Sequence, residues 1–130
     1  MTIKVLVVDN DRDQLMIFET VLSKAGFGVI AVVSAALALE RIRTTHIDVI
    51  LCDYMMPDVN GAQMARQLLE GLAASGGRRI PFLLITANCS LLTVTSSLPG
   101  VDGIYAKETL KSRVVDRVRR LAETRNREGN

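Results

Sequence analysis

The chain has 130 residues, of which 48% are hydrophobic and 23% charged, with a formal net charge of +2. That length fits one domain, and the apolar share is ample for a core, which argues against intrinsic disorder. Aromatics are only 4% and Trp is absent, so the core must be aliphatic and a platform for stacking bases is disfavoured.

The apolar pattern alternates strand and helix. Ile3-Lys4-Val5-Leu6-Val7-Val8 reads as a first strand. A helix from Asp11 to about Ala25 follows, with Leu15, Phe18, Leu22 and Ala25 on one face. Asn10 or Asp11 can cap it and Gly26 can end it. Gly28 to Val33 is a second strand, and Ser34 can cap a helix to about Thr44. The run Ile47-Asp48-Val49-Ile50-Leu51-Cys52 is a third strand, buried by its composition. Pro57 and Asn60-Gly61 turn the chain after it, and a helix runs from about Gly61 to Ala74. Ile80 to Thr86 is a fourth strand and Val101 to Ala106 a short fifth. A last helix spans about Thr109 to Thr124, with Leu110, Val114, Val118 and Leu121 inward. Between strands four and five, Asn88 to Leu98 has poor helix propensity. A parallel crossover still requires a helix there, so a short or distorted one is expected.

Such alternation gives an α/β fold, a parallel sheet with helices on both faces. All its strands end on one edge, where ligands of open α/β sheets bind. Strand one ends at Asp9-Asn10, strand three at Asp53, strand four at Thr86-Ala87 and strand five at Lys107. Two carboxylates, an amide, a hydroxyl and an ammonium therefore converge. The acids suit a hard cation such as Mg²⁺. Lysine and hydroxyl suit an oxyanion beside it, and a carboxylate can act there as nucleophile.

These residues carry a resemblance that covers nearly the whole chain. Val7-Val8-Asp9, Asp53-x-x-Met56-Pro57-x-x-Asn60-Gly61, Thr86-Ala87 and Lys107 occur in order, each at a strand end. The chain resembles a response regulator receiver domain of two-component signalling, similar to the chemotaxis regulators. The resemblance implies a flavodoxin-like, doubly wound five-stranded sheet of order 2-1-3-4-5. It implies that Asp53 accepts a phosphoryl group from a histidine kinase or phosphotransfer protein, or from a small acyl phosphate. Mg²⁺ would be held by Asp9, Asn10, Asp53 and the backbone carbonyl of Met55. Lys107 and Thr86 would serve the transferred group. Signalling to an effector would use the family's α4-β5-α5 face, here residues 88–98, 101–106 and 109–124, which also serves homodimers in the family. Receiver character is expected over residues 1–124, with 125–130 a polar tail or linker stub.

The pattern has departures. The family has two adjacent acids after strand one; here Asn10 follows Asp9, so weaker Mg²⁺ binding is expected. Asp11 reads chiefly as a helix cap. Glu108 replaces the proline after Lys107; a cis bond without proline costs roughly 3 kcal/mol, so a trans bond is expected. The family's switching aromatic falls at Ile104. Tyr105 is one step late and should face the other side of the sheet as a packing residue. Met55 and Asn88 occupy the positions that tune dephosphorylation, and Met55 cannot orient water, so a long-lived phosphoryl group is expected.

Other residues read blandly. Cys52 is a buried thiol, and Cys52 and Cys89 lack metal or redox spacing. His46 is a loop residue before strand three. The basic last helix, with Lys111, Arg113, Arg117, Arg119 and Arg120, is a solvated or kinase-docking face, with no direct nucleic-acid contact expected. No apolar stretch reaches the roughly 18 residues of a membrane span, and no signal region precedes Lys4 and Asp9, so no membrane contact and a cytoplasmic location are expected. The chain is not expected to be an enzyme beyond promoting its own phosphoryl transfer and slow autodephosphorylation. Two alternatives stand. One is a degenerate receiver that acts as an interaction module. The other is a metal-dependent phosphohydrolase, which would want an acid where Met55 stands.

Overall fold

The computed structural model describes residues 2–75, 77–87 and 98–128, with side chains described as far as 72 and from 77 to 87 and 98 to 124. Its elements are β1 (Lys4–Val8), α1 (Arg12–Lys24), β2 (Gly28–Val32), α2 (Ala35–Thr44), β3 (Val49–Asp53), α3 (Gly61–Ser75), β4 (Phe82–Thr86) and β5 (Gly103–Ala106). A 3-10 turn (Lys107–Thr109), a π turn (Leu110–Val114) and a C-terminal α-helix (Val115–Glu128) complete them. The expected helix over Asn88 to Leu98 falls almost wholly outside the described residues.

The five strands form one parallel sheet of order β2-β1-β3-β4-β5, as the resemblance implied. Side chains alternate across it with the strand period of two. Val5, Val7, Leu51, Leu83 and Ile85 point to one face, where Leu15, Phe18 and Leu22 of α1 and Leu110, Val114 and Val118 cover them. Leu6, Val8, Ile50, Cys52 and Leu84 point to the other, against Ala38 of α2 and Met64 and Ala65 of α3. β1, β3 and β4 are therefore apolar on both faces and almost fully buried. Each buried Val, Leu or Phe contributes about 1.5–3 kcal/mol by leaving water.

Local chemistry fixes the helix ends. Asp11 is the N-cap of α1, its carboxylate accepting from the N–H groups of Asp13 and Gln14. Gly26, at φ 96°, takes the left-handed position after α1. Ser34 caps α2 by accepting from the Leu37 N–H. At α3, the Gln63 N–H donates to Asn60 Oδ1 at 2.8 Å and the Asn60 N–H donates back to Gln63 Oε1 at 2.9 Å. That reciprocal pair is a capping box.

Several boundaries differ from the sequence reading. β3 begins at Val49 rather than Ile47 and includes Asp53. The cause is Asp48, 2% exposed, which leaves the strand to bind elsewhere. Its Oδ2 accepts the Lys4 N–H at 2.8 Å and its Oδ1 lies 2.8 Å from His46 Nε2. β5 begins at Gly103, not Val101, because Asp102 Oδ2 accepts from the Phe82 N–H at 2.8 Å and from Arg79 at 2.9 Å. The expected uniform last helix instead starts with 3-10 and π turns and continues to Glu128. Thr109 Oγ1 donates to the Ala106 carbonyl at 2.7 Å and tightens the first turn. The buried row then runs Leu110, Val114, Val118, Ala122 in steps of four; Leu121 is only partly buried. No peptide bond among the described residues is cis, so the Lys107–Glu108 bond is trans as expected.

Candidate functional site

The carboxyl edge of the sheet gathers the expected side chains. β1 and β3 pair in register with Val8 opposite Cys52. The next residue on each strand is therefore an acid, Asp9 beside Asp53. Both are buried, Asp9 completely and Asp53 to 6% exposure. Asp9 is anchored by its own N–H donating to the Val32 carbonyl at 3.2 Å. Its Oδ1 accepts the Asp11 N–H at 2.9 Å, so the turn into α1 is tied to the acid. Its Oδ2 has no hydrogen-bond partner among the described residues.

Lys107 supplies the counter-charge. Its Nζ lies 3.4 Å from Asp53 Oδ1 and 3.7 Å from Asp9 Oδ2. These are ion-pair distances, and the second is too long for a hydrogen bond. β4 and β5 pair with Thr86 opposite Ala106, which sets Thr86, itself buried, beside the strand that delivers Lys107. Asp9, Asp53, Thr86 and Lys107 are thus brought to one edge. Asn10 follows directly but is exposed. Met55 sends its side chain into solvent from the loop after Asp53. Asn88 lies outside the described residues.

The electrostatics follow from burial. Leaving water holds the Asp53 carboxyl above the usual carboxylate range; the neighbouring Asp9 charge pushes it the same way, and Lys107 only partly offsets them. Burial likewise raises Asp9, against the opposing pull of the Asp11 N–H and Lys107. Burial also raises the Cys52 thiol far above its ordinary value. That thiol contacts the Asp53 carbonyl at 3.3 Å and is inert by these terms.

The loop from Asp53 to α3 is held by backbone. The Tyr54 N–H donates to the Ile85 carbonyl at 3.0 Å, and the Gly61 N–H to the Tyr54 carbonyl at 2.9 Å. Gly61 is fitted against Asp53: a Cβ on it would lie 2.8 Å from the Asp53 carbonyl oxygen and overlap Leu84. The sequence reading missed Gln63, although Asn60-x-x-Gln63 is a recognisable capping pattern. It also missed the anchoring by Asp48 and Asp102, for which the local sequence carries no signal. Tyr105 behaves as expected of its register. It packs on the α1 face of the sheet, with the Arg113 guanidinium 5.5 Å from its ring centre, while Ile104 faces the opposite way.

The two buried carboxylates, one with an orphaned oxygen, form a hard-oxygen set that fits Mg²⁺. The set holds one acid fewer than a two-acid turn after β1 would give. A family model described as the response regulator receiver domain matches residues 5–119. The chain belongs to the response regulator receiver family. Receiver domains are signalling modules of two-component systems, act through phosphorylation and typically bind Mg²⁺. The sensory/regulatory protein RpfC of Xanthomonas campestris pv. campestris is 28% identical over 122 residues, 93% of this chain and 17% of that protein. The chain spans about half the length of the transcriptional regulatory protein YrkP of Bacillus subtilis and of the response regulator MprA of Mycobacterium ulcerans, which it also matches. Among solved structures, the Francisella response regulator 1452 receiver domain superposes with a TM-score of 0.81 at 23% identity, covering 95% of this chain and 98% of that one. Response regulator TrrA of Thermotoga maritima, solved in complex with Mg²⁺-BeF, gives 0.78 at 20% identity, covering 93% and 99%. These structures share the receiver fold. No helix among the described residues is long and apolar enough to cross a membrane.

Proposed function

We propose that this receiver is a phosphorylation-dependent switch in which Asp53 accepts a phosphoryl group from a histidine kinase or phosphotransfer protein. The observation that carries the reading is the placement of Lys107 Nζ 3.4 Å from Asp53 Oδ1, with Asp9 beside it. An Asp53 oxygen attacks phosphorus and the bond to the donor imidazole nitrogen breaks, leaving an aspartyl phosphate. Lys107 is fixed where charge gathers on the transferring oxygens, so it acts by preorganised electrostatics. Thr86 offers a hydroxyl to the product from the end of β4. Asp9, Asn10, Asp53 and the Met55 carbonyl would hold Mg²⁺, which supplies further neutralisation of those oxygens when bound. The switch is a shift between two populations biased by the new charge.

The reading extends to residues 1–124 as the receiver unit with 125–130 as tail, to a cytoplasmic setting, and to an effector or a second copy engaged through the 88–98, β5 and C-terminal helix face. Incubation with Mg²⁺ and acetyl phosphate tests the central step. One phosphoryl mass is expected in the wild type and none in Asp53→Ala. A second reading, an interaction module with weak or no phosphorylation, draws on the exposed Asn10 in place of a second acid. Failure of both acetyl phosphate and a cognate kinase to add the mass would favour it.

A further inference from the structure

A second concave site lies at the opposite edge of the sheet from Asp53. It is a cleft of about 620 Å³ between α2 and α3, floored where β3 and β4 begin. Small-molecule sites typically span roughly 300–1,000 Å³ and combine apolar walls with a few charged groups. The walls here are Ile42 of α2, Leu68 and Leu72 of α3, and Phe82 at the floor. Arg43, Arg78 and Arg79 also line it, and no Asp or Glu does so among the described lining residues.

We propose that this cleft binds an amphiphilic organic anion, with its aliphatic or aromatic body on the Leu68-Leu72 wall and its acidic head among the arginines. The charge pattern decides the class. A cation would be repelled by the guanidinium groups of Arg43, Arg78 and Arg79, whereas an anion is drawn to their summed positive charge. Arg79 is already tied to Asp102 at 2.9 Å, but that contact uses one of the five N–H donors of a guanidinium and leaves its fork available for a second oxyanion. The tie also fixes where that guanidinium stands. The Asp48 carboxylate beside His46 does not itself line the cleft and is held by His46 Nε2 and the Lys4 N–H, each at 2.8 Å.

One wall position makes the test clean. Gly71 lines the cleft, and a Cβ on it would meet nothing within 4 Å. Gly71→Phe is therefore expected to crowd the cleft, since its Cβ has room. The probes are decanoate, decanol and decyltrimethylammonium below their micellar concentrations, each read by displacement of anilinonaphthalene sulfonate and by amide NMR shifts at Gly71, Gly77 and Gly100. Decanoate is expected to displace the dye and shift those amides in the wild type. Gly71→Phe, its fold checked by circular dichroism, should abolish both effects. Arg43→Gln with Arg78→Gln should weaken decanoate by about tenfold, as loss of charge-assisted contacts requires, and leave decanol unchanged. Absence of decanoate binding to the wild type, undiminished binding to Gly71→Phe, or equal binding of decyltrimethylammonium would each overturn the proposal. None of these readouts depends on phosphorylation of Asp53.

Discussion

Gly61 packs against the backbone of Asp53 so closely that a Cβ on Gly61 would lie 2.8 Å from the Asp53 carbonyl oxygen. It would also overlap a Leu84 methyl. The glycine is thus required by space rather than by an unusual φ. Gly61→Ala is expected to cost about 1–3 kcal/mol, the usual range for overpacking a tight interior. It should also weaken Mg²⁺ binding, because the displaced loop carries Met55. Gly71→Ala is the control. It sits in α3 with open space around its Cβ and should stabilise by about 0.5–1 kcal/mol. Urea denaturation of both variants checks the pair; equal behaviour would sink the packing argument.

Removing the Asp53 charge should stabilise the metal-free protein at neutral pH. Burial, then the Asp9 charge, hold the Asp53 carboxyl above its ordinary 3.8. The native state therefore keeps a proton to higher pH than the unfolded chain does. Stability is lost as pH rises from about 3.8 through the raised native value, because the unfolded state releases its proton first. Asp53→Asn escapes that loss. It is expected to gain about 1 kcal/mol at pH 7, a rise in Tm of roughly 3–6 °C for a domain of this size. The gain should vanish toward pH 4. Thermal melts in chelator across that range measure it, and a less stable Asp53→Asn at pH 7 would contradict the account.

The sheet and the site edge were legible in the sequence for one physical reason. Buried strands are continuous apolar runs, so Val5 to Val8 and Val49 to Cys52 mark their own ends, and the polar residues after them, Asp9 and Asp53, must share an edge. Helix caps were equally local, as Asp11 and Ser34 demonstrate. What was not legible rests on long-range pairing. Asp48 sits inside an apolar run and reads as strand, yet its partner is the Lys4 N–H, which no nearby residue announces. Asp102 likewise trims β5 by binding Phe82 and Arg79. The π turn at Leu110–Val114 leaves no mark in the apolar spacing, since Leu110, Val114 and Val118 suit a plain helix as well.

Asp102 gives a separable test of how β4 is seated. Its Oδ2 accepts both the Phe82 N–H at 2.8 Å and Arg79 at 2.9 Å. Asp102→Ala leaves an N–H at the floor of the sheet without this acceptor, a cost of about 1–3 kcal/mol. Arg79→Ala removes only the partly exposed ion pair, which is worth about 1 kcal/mol or less. Denaturant melts of the two single variants and the double variant should show Asp102 dominating. Equal losses would mean that the ion pair, not the backbone acceptor, holds the strand.

At the proposed metal site, an acid in place of Asn10 should strengthen Mg²⁺ binding. Asp9 Oδ2 is buried without a hydrogen-bond partner among the described residues, and among those residues the ion pairs of the two carboxylates are both with Lys107. A divalent cation would complete that balance, and a carboxylate at position 10 would add attraction without further burial, because Asn10 is already exposed. A unit charge about 4 Å from a divalent ion is worth about 2 kcal/mol even at the dielectric constant of water. Asn10→Asp is therefore expected to tighten Mg²⁺ binding by at least about tenfold, read by isothermal titration. At a Mg²⁺ concentration of about ten times the wild-type Kd, the wild type should gain about 1.4 kcal/mol of stability and the variant about twice that. The same substitution without Mg²⁺ should lower Tm slightly, since a third acid then joins Asp9 and Asp53 against one lysine. Unchanged affinity in Asn10→Asp would remove position 10 from the donor set and leave Asp9, Asp53 and the Met55 carbonyl to hold the ion by themselves.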